Sequence, residues 1–440
     1  MTVLRRRFGQ RLGRRRRTAL LALLVAIALV DSATLAGAAV LHARRIERVT
    51  GTNAVSAPEV YVEGRTGSFD ATIEYGALFS ADGHQVASDV AWDDDWFFDD
   101  PTVYNSELAY TCAVLAAVAN AESAYYQQGS TSPAYAERAF AELGFDEVCT
   151  ASYRYRSEVL DEVLGVFDGT DVVAYTLATK RVRSSETGAQ KLLTVVAVRG
   201  SYGSEWLSNV RIEDGSGLAG TEVDPDHLGF TIAAEEIVAD LEVRAAEVGD
   251  GVERTYLFLG HSRGGAVANL LASYADDESH ALATADDVRS YTFATPNCTS
   301  AAGARSATYG NIFNVLNPSD LVPQLPLASW GYERYGVDVW LPGEKDEGFE
   351  DLLATMRASY ATTMGNDCPA DSADCAVVQG FVRAIGERVS GFDELVSPAG
   401  LVTLATTGVE CGVDVARLLA SHYPNTYIAW LDALRGSQGA

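Results

Sequence analysis

Residues 256–271, YLFLGHSRGGAVANLL, contain the most informative pattern in this chain. An apolar run typical of a buried strand leads into a Gly-x-Ser-x-Gly turn, and an alanine-rich helical pattern follows. This order predicts a nucleophile elbow, a tight turn that holds Ser262 above the end of a sheet. Gly260 and Gly264 fit such a turn, because side chains there would collide where the strand and the helix pack closely. The alternative is a plain strand-to-helix connection in which Ser262 only caps the helix.

Further strand and helix patterns surround this turn. Short apolar runs at 172–177, 192–198, 288–293 and 312–316 predict strands, and a helical pattern covers 229–248. Strands that alternate with helices predict an α/β fold with a mainly parallel sheet flanked by helices.

The regions outside this alternation are interpreted as additions to one large domain over residues 101–440. Helical patterns at 106–125 and 133–143 predict an N-terminal helical extension. Residues 345–400 have no strand character and predict an acidic helical insertion, followed by a late helix at 402–419. Residues 42–100 are interpreted as a polar stem.

Charge is distributed unevenly along the chain. The 440 residues carry a formal net charge of −27, yet the first 50 contain eleven arginines against two acidic residues. The strongly acidic remainder repels phosphate backbones, so nucleic acid is excluded as a partner. An apolar content of 48% is sufficient for a sizeable core.

The first 41 residues have the pattern of an export signal. Two arginine clusters, at 5–7 and 14–17, precede an apolar stretch that begins at Thr18. Two interpretations stay open: a signal peptide cleaved near Ala36-Gly37-Ala38, or an uncleaved membrane anchor, against which Asp31 counts. Both predict that the bulk of the chain is extracytoplasmic, either secreted or anchored to the cell membrane.

Export makes the cysteines informative, because disulfides form in oxidising compartments. The chain has six cysteines and none lies in a Cys-x-x-Cys pair, so a zinc site is not predicted. Cys368 and Cys375, close together in a polar segment, are the predicted disulfide. The state of the other four is left open.

A serine hydroxyl needs a base, and the base needs an orienting acid. In the elbow-bearing folds these residues follow in the order Ser, Asp or Glu, His. Only His280 and His422 follow Ser262 in the chain. His280 lies in an acidic run too close to the serine to fold back over it, so His422 is the predicted base, with a surface loop histidine as the alternative.

Asp320 is the predicted acid. It follows the strand predicted at 312–316 and lies between Pro318 and Pro323, at the sheet edge where α/β folds carry their sites. A simple turn is the alternative, and Asp338 is a weaker rival. The oxyanion would be met by the backbone N–H of Arg263 and by Ser201, which follows the strand predicted at 192–198.

Several ordered motifs resemble the class 3 lipases, the fungal-type branch of the α/β hydrolases. They are VRGS at 198–201, HLGF at 227–230, GHSRGG at 260–265, TFATPN at 292–297 and DLVPQLP at 320–326. The resemblance implies an α/β-hydrolase fold with Ser262 as nucleophile, Asp320 as acid, His422 as base, and Ser201 with Arg263 as oxyanion donors. It also implies a lid at about 204–226, no metal and no organic cofactor.

The implied function is hydrolysis of carboxylic esters, with acylglycerols or other lipid esters as substrates and a membrane or lipid interface as a partner. The chain departs from the family pattern at Arg263, where leucine is common, and in the insertion between Asp320 and His422. Phospholipase, acyltransferase, peptidase or short-chain esterase activity at the same site is the first alternative. A non-catalytic surface binding protein is the second.

Overall fold

The central sheet has seven strands in the order β3-β4-β5-β6-β7-β8-β9, and a separate two-stranded sheet joins β1 to β2. The computed structural model describes residues 65–77, 80, 85–128, 135–154, 174–200, 228–248, 251–276 and 282–438. The strands are β1 Ser68–Gly76, β2 Gln85–Asp93, β3 Glu147–Cys149, β4 Tyr175–Arg183, β5 Gln190–Val198, β6 Arg254–His261, β7 Val288–Phe293, β8 Ile312–Leu316 and β9 Val337–Trp340.

Eleven α-helices occur in the described part of the chain. They are α1 Ser106–Gln128, α2 Tyr135–Glu142, α3 Ala151–Arg154, α4 Leu228–Val248, α5 Arg263–Asp276, α6 Phe349–Met364, α7 Asp374–Arg388, α8 Phe392–Val396, α9 Pro398–Cys411, α10 Val415–His422 and α11 Pro424–Gln438.

Five strands, β5 to β9, pair in parallel, whereas β3, β4 and β5 pair antiparallel. Every residue of β7 and of β8 is buried. Such continuous burial is characteristic of parallel strands that are covered on both faces. One hydrophobic cluster joins the sheet to α4 and α5, and another joins it to α1 and α11. The prediction of a mainly parallel sheet flanked by helices is confirmed.

The prediction of a polar stem at 42–100 is wrong for the part of that segment that the structure describes, residues 65–77, 80 and 85–100. Here β1 and β2 form an antiparallel hairpin whose alternate side chains, including Ile73, Val90 and Trp92, are buried in the core. Each strand alternates apolar and polar residues. Because about half of the residues are polar, the composition of the segment resembles that of a polar stem. Residues 42–64 of the predicted stem, and the predicted leader at 1–41, lie outside the described residues.

The insertion is helical as predicted, but the helix predicted to follow it differs from the prediction. The late helix expected at 402–419 is two helices, α9 and α10, because Gly412 adopts a left-handed conformation (φ 73°) that ends α9. Asp414 then caps α10 by accepting hydrogen bonds from the backbone N–H groups of Ala416 and Arg417. A third hydrophobic cluster holds the insertion together around Phe381, Ile385 and their neighbours.

The predicted disulfide is also wrong, since all six cysteines are free thiols. Cys368 contacts the sulfur of Met356, and the Cys375 sulfur accepts a hydrogen bond from Gln379. Both are partly or fully buried within the insertion, where they pack as small apolar side chains.

No single helix in the described part is long and apolar enough to cross a bilayer, although α9 and α10, bent by 99°, meet that length and composition test as a pair.

Candidate active site

The turn between β6 and α5 places Ser262 where the strand ends and the helix begins. Ser262 has a φ of 59°, in the left-handed region that a serine rarely adopts. Its backbone N–H donates to the carbonyl of Phe293 on the neighbouring strand, at 2.8 Å. A Cβ at Gly260 would collide with the Gly264 carbonyl, and one at Gly264 would collide with the Val198 carbonyl. The strained elbow expected from the sequence is therefore present.

Three distant parts of the chain meet at this elbow. The Nε2 atom of His422 lies 2.9 Å from Ser262 Oγ, and its Nδ1 atom lies 2.8 Å from Asp320 Oδ2. All three side chains are buried. A carboxylate only accepts hydrogen bonds, so the contact with Asp320 places a proton on Nδ1, and Nε2 faces the serine hydroxyl. The structure thus brings Ser262, His422 and Asp320 into one hydrogen-bonded series.

His422 is the last residue of α10 and not a loop residue as predicted. Its position is fixed by the adjoining backbone: the Asn317 side chain donates to the Ser421 carbonyl at 2.9 Å, and His261 Nε2 lies 2.7 Å from the His422 carbonyl. Because a carbonyl oxygen only accepts, the proton of His261 is on Nε2.

His261, the residue before the serine of the elbow, packs against the histidine that faces that serine. Its ring lies beside the His422 ring, with 4.8 Å between centroids. Burial, and the nearby His422 ring, hold the pKa of His261 well below its ordinary value. His261 is consequently neutral near pH 7 and acts as a donor to the backbone that carries His422.

Asp320 is held by two donors besides His422. The hydroxyl of Tyr427 donates to Oδ2 at 2.8 Å, and the backbone N–H of Val322 donates to Oδ1 at 2.9 Å. The same Tyr427 hydroxyl accepts from the backbone N–H of Asn317 at 3.1 Å. Burial and the neighbouring Asp320 carboxylate raise the pKa of Tyr427 well above its ordinary value, so its hydroxyl stays protonated.

Sequence reasoning missed Tyr427, Asn317 and His261 as supports of this site. Tyr427 is five residues beyond His422 and Asn317 three before Asp320, so proximity in sequence was the available signal. The rival Asp338 is engaged elsewhere. Although burial opposes its ionisation, Arg334 and Arg305 hold the pKa of Asp338 below its ordinary value through short ion pairs.

One of the two predicted oxyanion donors, Arg263, is the first residue of α5 and directly follows Ser262 in the chain. Its side chain is half-buried. The positive end of the helix dipole at this turn favours negative charge. Ser201, the predicted lid at 204–226, His227 and His280 lie outside the described residues. In the described ranges no cluster of three or more His, Cys, Asp or Glu residues forms a metal-binding group.

Comparison with known proteins agrees with this architecture. Residues 182–330 match the model of the family Lipase (class 3). A secreted mono- and diacylglycerol lipase 1 from Fusarium solani is 31% identical over 156 residues, which cover 34% of this chain and 44% of that protein. A secreted mono- and diacylglycerol lipase A from Penicillium cyclopium is 29% identical over 154 residues, covering 33% and 47% respectively.

Among solved structures, a triacylglyceride lipase from Rhizomucor miehei is 20% identical, with a TM-score of 0.35 over 53% of this chain and 79% of that one. The resemblance to class 3 lipases is confirmed for residues 182–330, and the chain has the expected α/β-hydrolase fold. The chain spans about half the length of the curated relatives that it matches.

Proposed function

We propose that this protein is a serine hydrolase that cleaves carboxylic esters of lipids through Ser262, His422 and Asp320. The observation that carries the proposal is the unbroken series of hydrogen bonds from Asp320 through His422 to Ser262, at 2.8 and 2.9 Å. Nucleophile, base and orienting acid in this geometry are the parts that acyl transfer to a serine requires.

The proposed reaction has two halves. As Ser262 Oγ attacks the ester carbonyl carbon, its proton passes to His422 Nε2, while Asp320 keeps the ring oriented and stabilises its positive charge. The carbonyl oxygen becomes an oxyanion, which the backbone N–H of Arg263 and the predicted donor Ser201 would bind. His422 then returns the proton to the leaving alcohol. A water molecule, activated in the same way, releases the acid from the acyl-enzyme.

Lipid esters are proposed as the substrate class because the class 3 lipase match and the acylglycerol lipase names of the relatives favour them. Short-chain esterase, phospholipase, acyltransferase and peptidase activities use the same site chemistry and are the alternatives. Hydrolysis rates on nitrophenyl esters of increasing chain length separate the first alternative from a lipase. A rate that falls steadily beyond short acyl chains would contradict the lipid assignment.

We also propose that the protein acts outside the cytoplasm. The arginine-rich and apolar segment at 1–41 supports this, as do the relatives described as secreted. Mass spectrometry of the N-terminus of exported protein would distinguish a signal peptide cleaved near Ala36-Gly37-Ala38 from a retained anchor. Protein found only in the cytoplasm, with its leader intact, would refute export.

The surface proposed to meet a lipid interface lies on α9. Helical spacing places Pro398, Leu401, Val402, Ala405 and Val409 on one face, and Leu401, Val402 and Val409 are 50, 51 and 73% exposed. An apolar, uncharged helix face that is exposed in a protein of net charge −27 suits a neutral or zwitterionic lipid surface. The opposite face of α9 packs inward, where Thr407 accepts a hydrogen bond from Arg388.

A fluorophosphonate probe tests the central proposal, because it reacts with serines activated by a base. We expect it to label the unmodified protein and to fail with Ser262→Ala. Ser273→Ala is the matched control: Ser273 is also buried on α5, but in the described part of the chain its hydroxyl donates to the Leu270 carbonyl and not to a histidine. Equal labelling of the Ser262→Ala variant and the unmodified protein would eliminate the proposed nucleophile.

His422→Ala is expected to lower turnover by several orders of magnitude, since members of a triad act as a unit. The sequence places His280 outside the site, so His280→Ala should leave turnover nearly intact. The reverse result would transfer the role of base to His280.

A further inference from the structure

One side chain from the N-terminal helical extension reaches the strand end that is predicted to supply an oxyanion donor. Asn120, on α1, accepts a hydrogen bond through Oδ1 from the backbone N–H of Gly200, at 2.8 Å. The two residues are 80 positions apart. Asn120 also lies outside the segment 182–330 that matches the class 3 lipase model.

Gly200 is held from two further directions. A Cβ at this position would collide with the carbonyl oxygen of His261, so the backbone of Gly200 lies directly against the elbow. The preceding residue, Arg199, donates its backbone N–H to the Ala174 carbonyl at 3.0 Å. Asn120 therefore adds a third restraint on the chain as it leaves β5, one residue before Ser201 in the sequence.

The helix itself gives no reason for an asparagine at this position. Residues 116–121 of α1 are otherwise Ala or Val and are buried. Asparagine is a poorer helix former than alanine, so it lowers the stability of such a helix unless its side chain forms a compensating hydrogen bond. The backbone next to Asn120 is also held in place, because the Tyr153 hydroxyl donates a hydrogen bond to the Ala119 carbonyl at 3.1 Å. Asn120 thus projects from a well-anchored part of the helix.

We propose that Asn120 is a positioning residue of the oxyanion hole, which aligns the backbone at Gly200 so that the following residue can donate to the oxyanion. This inference rests on the proposed ester hydrolase function. No described hydrogen bond joins Asn120 to Ser262, His422 or Asp320, so it would act through Gly200. Its effect is on the transition state, because oxyanion donors stabilise developing charge only when they are aligned in advance, and small displacements are costly.

The test compares Asn120→Ala with the unmodified protein on a soluble nitrophenyl ester. Alanine suits the alanine-rich helix, which offsets part of the cost of the unpaired Gly200 N–H, so the variant should fold with a melting temperature lowered by a few degrees at most. We expect kcat to fall about 10- to 100-fold with KM changed by less than about twofold. Affinity for a trifluoromethyl ketone, which forms a tetrahedral adduct with the serine, should fall by a similar factor.

Asn105→Ala is the matched control. Asn105 caps the same helix, where its Oδ1 accepts hydrogen bonds from the backbone N–H groups of Glu107 and Leu108 at 3.0 Å. Its loss should lower the melting temperature by a few degrees and leave kcat unchanged. The pair separates a loss of helix stability from a loss of oxyanion alignment.

Unchanged kcat and unchanged trifluoromethyl ketone affinity in folded Asn120→Ala would overturn the inference. The same conclusion would follow if Asn120→Leu, which keeps the side-chain volume but has no acceptor, retained full activity. Failure of the proposed function is recognised separately: the unmodified protein would then neither hydrolyse the ester nor react at Ser262 with the fluorophosphonate probe.

Discussion

The hydroxyl of Tyr427 donates a hydrogen bond to Oδ2 of Asp320, the same oxygen that lies 2.8 Å from His422 Nδ1. A buried carboxylate is costly unless its oxygens have donors. Tyr427 therefore supplies one donor to this buried oxygen and fixes the direction in which Asp320 faces His422. The tyrosine lies on α11, the helix that begins two residues after His422, so one short segment carries both the proposed base and a support for the proposed acid.

Replacing Tyr427 with phenylalanine should reduce kcat about tenfold and lower the free energy of unfolding by about 1–3 kcal/mol, since a buried carboxylate oxygen loses a donor. The Asn317 N–H also loses its acceptor. Kinetics on a soluble ester and urea denaturation measure the two effects. Tyr423→Phe is a control, because Tyr423 is aromatic and nearby but has no hydrogen bond to Asp320 among those described. Equal kinetics for Tyr427→Phe and the unmodified protein would show that the acid needs no such support.

Lys180 holds the β1–β2 hairpin against the central sheet. Its ammonium group lies 3.2 Å from Asp94, donates to the carbonyls of Arg65 and Leu143, and faces the Trp92 ring at 4.9 Å. Both Lys180 and Asp94 are buried. Breaking a buried pair by removing one partner typically costs about 3–5 kcal/mol, because the other charge stays buried.

We therefore expect Lys180→Met to lower the free energy of unfolding by about 3 kcal/mol or more, measured by urea denaturation. The double variant Lys180→Met, Asp94→Asn should lose less than the sum of the two single variants, since no uncompensated charge remains. Strict additivity would mean that the pair does not interact.

Glu122 predicts a pH dependence of stability. Burial is the main cause that raises the pKa of Glu122 from 4.5 to about 8. The hydrogen bond from the Ala136 N–H lowers this pKa, but only in part. Nearby Glu137 raises the pKa further, and Arg138 lowers it. The folded state thus binds more protons than the unfolded state between about pH 4.5 and 8. Over that range the contribution of neutral Glu122 to stability is progressively lost as the pH rises.

Glu122→Gln should be the more stable protein at pH 8, by a few kcal/mol at most, with a much smaller difference near pH 4.5. Glutamine keeps an acceptor for the Ala136 N–H and carries no charge. Melting temperatures of both proteins across this pH range provide the measurement. Parallel curves would show that Glu122 does not titrate in this range.

The α9 surface predicts a separation of activity on dissolved and aggregated substrates. Val402→Glu with Val409→Glu places two charges on the exposed face and should reduce hydrolysis of an acylglycerol emulsion about tenfold or more, because charge opposes insertion into an apolar interface. Hydrolysis of a dissolved short-chain ester should be unchanged. Val243→Glu, at a 59% exposed valine on α4, is the control. Equal losses on both substrates would indicate damage to the site rather than to interface binding.

Several features of this protein were predictable because they are encoded locally. The elbow at Ser262 needs only a strand pattern, two glycines and a helix pattern in sequence. Chain order then selected His422, one of two histidines that follow the serine, and the position of Asp320 directly after a predicted strand selected the acid. The parallel strands were predictable from continuous apolar runs, which mark burial on both faces.

Other features depend on contacts between residues far apart, which no local pattern specifies. The hairpin at 68–93 packs into the core, and Lys180, about 90 residues later, forms an ion pair with buried Asp94 directly after it. Cys368 and Cys375 are close in sequence, but the helices around them direct their sulfurs to Met356 and Gln379 instead.

The residues that carry the proposed chemistry could be identified from the sequence, because their types, spacing and order can be read along the chain. The contacts that hold them depend on the tertiary structure. His261 supports the backbone of His422, Tyr427 orients Asp320, and Asn120 restrains Gly200, the last across 80 residues. These are hydrogen bonds between groups that become neighbours only after the sheet and helices have packed, so their partners are fixed by the fold and not by sequence pattern.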